Sequence, residues 1–137
     1  MTGKILTFYL GGSLCGIDIV FAKEINRNVK YTAVPGGASH VVGLLNLRGQ
    51  VVTLFDLTQI LHLNQKTKCM ILKGLFQGDY IGFFIDKLAE VIDITPDMCE
   101  LPPANIKNLQ GRFISEIVKF NKEIILILDI NKIFDAI

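Results

Sequence analysis

This sequence predicts a mainly β chain folded as two small barrels packed against each other, on three observations. Its apolar or alternating segments are short and separated by glycine and polar turns. Its helical signals are few and brief. The chain also nearly repeats itself, so that each half offers the same pieces in the same order.

Residues 5–10 read as a strand, and Gly11, Gly12 and Ser13 as the turn that returns it through residues 14–20, because glycine reaches positive φ without steric cost. Residues 29–34 read as a further strand, stopped by Pro35. Residues 51–55 are a continuous apolar strand with β-branched valines, and 69–76, 80–85, 113–120 and 123–128 complete the set. About eight to ten strands are expected on this pattern. Asp56 can cap a brief helix through Leu61, and Asp129 one over residues 131–136, since a side-chain oxygen accepts the free first-turn N–H groups. A turn of helix is read at residues 39–42. The stretch 96–103 reads as a loop, because Pro102 and Pro103 cannot donate to a ladder.

The repeat is the most informative feature. Gly16-Ile17-Asp18-Ile19 with Glu24-Ile25 parallels Gly82-Phe83-Phe84-Ile85 with Glu90-Val91, 66 residues later. Residues 51–61 parallel residues 124–134, 73 later, with Asp56 matching Asp129. The extra residues of the second copy are assigned to the proline stretch. Two such copies imply two small barrels, neither with a large core of its own, and therefore an apolar interface between them.

Composition excludes several function classes. The 137 residues carry 14 Lys plus Arg against 13 Asp plus Glu, a net charge of +1, with no basic run to hold nucleic acid or an anionic membrane. Hydrophobic residues reach 50% and mean hydropathy is +0.44, so either the core is rich or apolar surface is left for partners. Cys15, Cys69 and Cys99 are odd in number and widely spaced, which fits free thiols in a reducing cytoplasm. No leader pattern follows Lys4, and the longest stretch free of charged residues, 31–47, is broken by Pro35, Gly36 and Gly37, so no spanning helix is expected.

Candidate chemistry is thin. Paired Asp56 and Asp129 in a duplicated β fold suggest an acid-pair hydrolase, but apolar Leu57 and Ile130 follow them directly, as at helix starts, so capping is the better account. His40 and His62 belong to no metal-ligand pattern, and no serine elbow or phosphate loop occurs. No catalytic residue, metal or cofactor is assigned. The segment Gly43-Leu44-Leu45-Asn46-Leu47-Arg48-Gly49-Gln50 places a charge in apolar surroundings, which is costly unless paired or displayed. Glu24 is the expected partner of Arg48. Arginine is enriched in binding hot spots, so Arg48 is also read as displayed to a protein.

Asn46-Leu47-Arg48-Gly49, preceded by Gly43 and followed by Val51-Val52 and Asp56-Leu57, resembles the central signature of the CheW-like family of chemotaxis coupling proteins. Phe8, Leu10-Gly11, Gly16-Ile17-Asp18-Ile19 and Glu24-Ile25 resemble its opening hairpin, and Val34-Pro35 its first proline loop. Gly82 to Asp86, Glu90-Val91, Leu101-Pro102-Pro103 and Leu128-Asp129-Ile130 resemble its second half. Departures are Thr53 in place of a frequent proline, Gly36-Gly37-Ala38-Ser39 without the second proline common in the first loop, and Ser115-Glu116 where a glycine is expected before Ile117-Val118.

The resemblance implies one domain over residues 1–137 made of two intertwined SH3-like five-stranded β-barrel subdomains, approximately 14–66 and 67–128. The N-terminal strand and a C-terminal helix would pack across them. It implies no catalysis, and a cytoplasmic adaptor recruited to membrane-associated receptor arrays without membrane insertion. Its partners would be the cytoplasmic tip of a chemoreceptor (a methyl-accepting chemotaxis protein) and the regulatory domain of the histidine kinase CheA. Carried over by position, Ala22, Glu24, Gly43 and Arg48 would lie at the receptor side, with Ile85 and Leu88 across the groove.

Overall fold

The computed structural model describes residues 3–27, 29–34, 41–57, 69–76, 79–103, 105–106 and 109–136. The expected helix after Asp56 falls beyond Leu57, outside the described residues, as do His40, His62 and the Pro35 loop. The strands are β1 (Lys4–Leu10), β2 (Ser13–Asp18), β3 (Glu24–Asn26), β4 (Thr32–Ala33), β5 (Val41–Leu47), β6 (Gln50–Phe55) and β7 (Cys69–Phe76). They continue with β8 (Asp79–Ile85), β9 (Lys87–Asp93), β10 (Cys99–Glu100), β11 (Asn105–Ile106), β12 (Leu109–Gln110), β13 (Ile114–Phe120) and β14 (Glu123–Leu128). One helix, α1 (Ile130–Asp135), follows β14.

Two six-stranded sheets carry the fold, ordered β10-β13-β14-β2-β1-β9 and β3-β7-β8-β6-β5-β4. Each combines strands from both copies of the repeat. The β1–β2 hairpin lies in the sheet of β13 and β14, and the β7–β8 hairpin in the sheet of β5 and β6. The sheets therefore cut the chain near Asp18 and Asp86, not between residues 66 and 67, because each copy lends its opening hairpin to the other.

The repeat reappears in the pairing itself. The parallel pairs Leu126↔Cys15 and Ile127↔Gly16 of one sheet correspond, through the two sequence offsets, to Thr53↔Ile81 and Leu54↔Gly82 of the other. Both antiparallel hairpins carry a register shift at the same place, between Val41 and Gly43 and between Ile114 and Glu116. Both close on two residues with positive φ, Arg48 (50°) with Gly49 (85°) and Asn121 (48°) with Lys122 (64°). Positive φ at both central residues is the turn whose twist matches that of paired strands.

The central strands β2, β8 and β14 bury both faces along most of their length, which accounts for their apolar runs. Leu126 and Leu128 of β14, Leu6, Phe8 and Leu10 of β1, and Ile81, Phe83 and Ile85 of β8 enter one core that joins the two sheets and α1. The alternate residues Ile125 and Ile127 join Ile5 and Ile92 in a second cluster, and Phe84 joins Val52 and Leu54 in a third. Phe83 packs its ring 6.3 Å from Phe8 and 6.2 Å from Phe134, so the seam between sheets is apolar and aromatic, as the duplication requires.

Six of the described strands were not read from the sequence; four of them, β3, β10, β11 and β12, are only two or three residues long, and β10 lies inside the stretch 96–103 that was read as a loop. β5 contains Gly43 and Asn46, which weaken its pattern, and Val41 and Val42 lie in it rather than in a helical turn. β9 is a sheet edge whose exposed face interrupts any alternation. Of residues 29–34, Thr32 and Ala33 form the strand β4, and residues 19–21 form a 3-10 turn instead of extending β2.

At β9 the ladder with β1 is irregular between Leu6 and Phe8. The Thr7 hydroxyl repairs it, donating to the Glu90 carbonyl at 2.6 Å and accepting from the Glu90 N–H at 2.9 Å. Thr7→Val keeps the shape and strands both backbone groups, so it should cost about 2 kcal/mol in chemical denaturation. An unchanged denaturation midpoint would contradict this.

Candidate functional site

The site forms around the tip of the β5–β6 hairpin. Leu47 pairs with Gln50, leaving Arg48 and Gly49 as the turn. The Asn46 side-chain oxygen accepts the Gly49 N–H at 3.0 Å and holds the loop closed. The turn costs Arg48 a left-handed backbone and in return projects its side chain from a rigid tip. Arg48 Nη2 donates to Glu24 Oε1 at 2.7 Å, so the sequence-predicted pair is present. Glu24 is positioned by β3, which pairs with β7 at Leu72.

The two partners differ in environment. The Arg48 side chain is 69% exposed and that of Glu24 29%. The second Glu24 oxygen is buried without a hydrogen-bond partner among the described residues. The carboxylate thus anchors the guanidinium from below and leaves its outer N–H groups open to an acceptor on another molecule. Around the tip, the outward face of the hairpin carries exposed Leu44 and Val51, opposite Thr53 and Asn46 respectively. These two apolar residues were hidden in the sequence, where residues 51–55 read as evenly apolar.

The other predicted residues divide into two groups. Gly43 is buried in β5, and a Cβ there would lie 2.3 Å from the Thr32 carbonyl oxygen and 2.7 Å from the Tyr31 ring. Its close approach is therefore to the chain's own backbone. Its counterpart in the second sheet is Glu116, and the counterpart of Tyr31 is Cys99: a large and a small residue exchange places. Ala22 and Leu88 are half-buried and pack against the central core, which contains Ile85. Ile85 is fully buried, so its side chain fills the seam and is not presented across a groove.

The acid-pair reading of Asp56 and Asp129 gains no support. Asp129 Oδ1 accepts the Lys132 N–H at 3.1 Å, as the cap of α1. Asp56 acts electrostatically on Asp86. Asp86 joins β8 to β9, donates its N–H to the Tyr9 carbonyl and accepts the Gly11 N–H at 2.8 Å. Burial raises its carboxyl above the ordinary 3.8, Asp56 adds to the rise, and the Gly11 and Gly12 N–H groups oppose it.

A carboxyl with a raised value holds its proton more tightly folded than unfolded, so stability falls as pH rises from 3.8 through the folded value. Asp86→Asn can still accept the Gly11 N–H and should flatten this slope. Urea unfolding at acid and neutral pH checks it. The variant should match or exceed the parent at neutral pH, and a less stable variant there would contradict the assignment.

Burial and a hydrogen bond to Glu116 push the Cys99 thiol up to about 11, so it is protonated at neutral pH and is no nucleophile. Among the described residues no group of three or more His, Cys, Asp or Glu side chains could hold a metal ion. Among them, too, no helix is long and apolar enough to cross a membrane.

Comparison with known proteins agrees with this geometry. The CheW-like domain model matches residues 4–137. The chemotaxis protein CheW of Treponema pallidum is 29% identical, over 97% of this chain and 82% of its own length. That of Bacillus subtilis is 27% identical, over 96% of this chain and 86% of its own length. The crystal structure of the scaffolding protein TtCheW from Thermoanaerobacter tengcongensis superposes with a TM-score of 0.84 at 28% identity, covering 98% of this chain and 88% of that one. On a match over nearly its whole length, together with the exchanged-hairpin fold, this chain belongs to the CheW-like family.

Proposed function

We propose that this chain is a non-enzymatic chemotaxis adaptor, holding the cytoplasmic tips of chemoreceptors in fixed relation to the regulatory domain of the histidine kinase CheA. The observation that carries the reading is the family match over residues 4–137, whose relatives are named for chemotaxis and whose solved neighbour is titled a scaffolding protein. The geometry of the hairpin tip supports it: a guanidinium anchored by Glu24 and flanked by exposed Leu44 and Val51 is suited to docking, with apolar area for affinity and charge for register.

Receptor tips engage the Arg48 surface together with Glu24 and Ala22, while Gly43, Ile85 and Leu88 contribute through the packing of the strands. Single contacts of this kind are about micromolar, roughly −8 kcal/mol, and gain strength when many are linked in an array. The adaptor works in the cytoplasm at membrane-associated receptor arrays.

Co-purification tests the reading. Mixed with a soluble receptor cytoplasmic fragment and the kinase, the chain should elute with both. Elution apart from each of them at concentrations of about 100 μM, far above the expected constant, would overturn it.

A further inference from the structure

Through the two sequence offsets, the Glu24–Arg48 pair has a counterpart in the second sheet. Glu90 stands where Glu24 does and Asn121 where Arg48 does, at the tip of the β13–β14 hairpin with the same backbone twist, φ 48° against 50°. The structure brings Glu90 and Asn121 to one cavity of about 110 Å³, which Tyr9, Leu14, Ala89 and Glu123 also line.

The side chains around the two glutamates differ in charge, with Lys122 standing where Gly49 does. In the first copy Glu24 has cationic Lys23 and Arg48 and neutral Gln50 at the matching positions. In the second, Glu90 has Ala89, Asn121 and a further carboxylate, Glu123. Among the described residues no cation lines this cavity, and Lys122 lines the adjoining one, which shares Tyr9, Leu14 and Glu123. Glu90 is exposed, its side chain makes no ion pair among the described residues, and its backbone is fixed by the two bonds to Thr7.

We propose that this cavity binds an arginine side chain of a partner protein, which supplies from outside the guanidinium that Arg48 supplies to Glu24 from within. The volume suits this occupant. It has room for about three or four waters and falls well short of the roughly 300 Å³ at which small-molecule sites begin. A side-chain end fits where a metabolite does not. Tyr9, 36% exposed, and Leu14 offer an apolar wall to the arginine stem, and the two carboxylates match its planar fork better than a lysine's point charge. This surface is separate from the Arg48 tip, and the proposal stands whichever protein that tip engages.

The test uses the whole chain, ¹⁵N-labelled, titrated at fixed ionic strength with acetyl-Gly-Arg-Gly-amide and with the same peptide carrying citrulline, the uncharged isostere. Saturating amide shifts are expected at Ala89, Glu90, Asn121 and Glu123, with citrulline binding at least about fivefold more weakly, the scale of one ion pair. Asn121→Arg should fill the cavity from within and abolish the response. Glu90→Gln, on an exposed side chain, should weaken it comparably without that rearrangement. Equal shifts with both peptides, shifts scattered over the surface, or a parental response in both variants would overturn the proposal.

Discussion

Replacing Arg48 with glutamate is expected to abolish capture of a chemoreceptor cytoplasmic fragment while moving the thermal midpoint by only a few degrees. The stability side follows from exposure. The Arg48 guanidinium is 69% exposed, and an exposed pair of this kind contributes at most about 1 kcal/mol. The binding side follows from burial at an interface. A guanidinium that loses its water there and meets an acceptor costs about 3 kcal/mol when its charge is reversed, more than about a hundredfold in affinity.

Titration calorimetry and thermal unfolding on the same samples separate the two effects. The double change Glu24→Arg with Arg48→Glu sharpens the test. It restores an ion pair within the chain but leaves the sign at the tip reversed, so stability should return and binding should not. Normal receptor binding by a folded Arg48→Glu protein would remove the tip from the account.

The second large effect falls on folding. Gly43→Ala places a methyl group 2.3 Å from the Thr32 carbonyl oxygen, a backbone atom that cannot swing aside. β4 must move off β5, and Tyr31 must leave its packing against Phe84, where the ring centroids are 5.5 Å apart. A cost of about 3 kcal/mol is expected for such overpacking, which lowers the melting temperature by about 10 °C in a chain of this size. Calorimetry checks it, and a midpoint within 2 °C of the parent would show that the strands yield more easily than the geometry requires. Receptor affinity of the folded fraction at low temperature should fall little, since Gly43 touches its own chain.

Much of the architecture was legible because duplication constrains more than pattern alone. Matching Gly16 with Gly82 and Asp56 with Asp129 anticipated two equivalent halves, and the equal pairings Ile127↔Gly16 and Leu54↔Gly82 carry that correspondence into the sheets. The exchange of hairpins left no mark in the residues themselves. Strands buried on both faces, such as β14, look alike whichever sheet receives them, which is why division at residue 66 looked natural.

Within the site, the Glu24–Arg48 pair was readable, because a charge in apolar surroundings demands an opposite one. The burial of Ile85 and the exposure of Val51 were not. Both are apolar residues in apolar runs, and only the sheet decides which face meets solvent. Asp86 escaped notice for a different reason: its importance comes from the Gly11 N–H of a distant turn, which no local pattern reveals.

The most direct measurement is the phosphorylation rate of the kinase in reconstituted mixtures with a receptor fragment, with and without this chain. Receptor control of the kinase should arise only when all three are present, and should vanish when Arg48→Glu replaces the parent. Control that persists without the chain, or a kinase that ignores the receptor in its presence, would contradict the adaptor role.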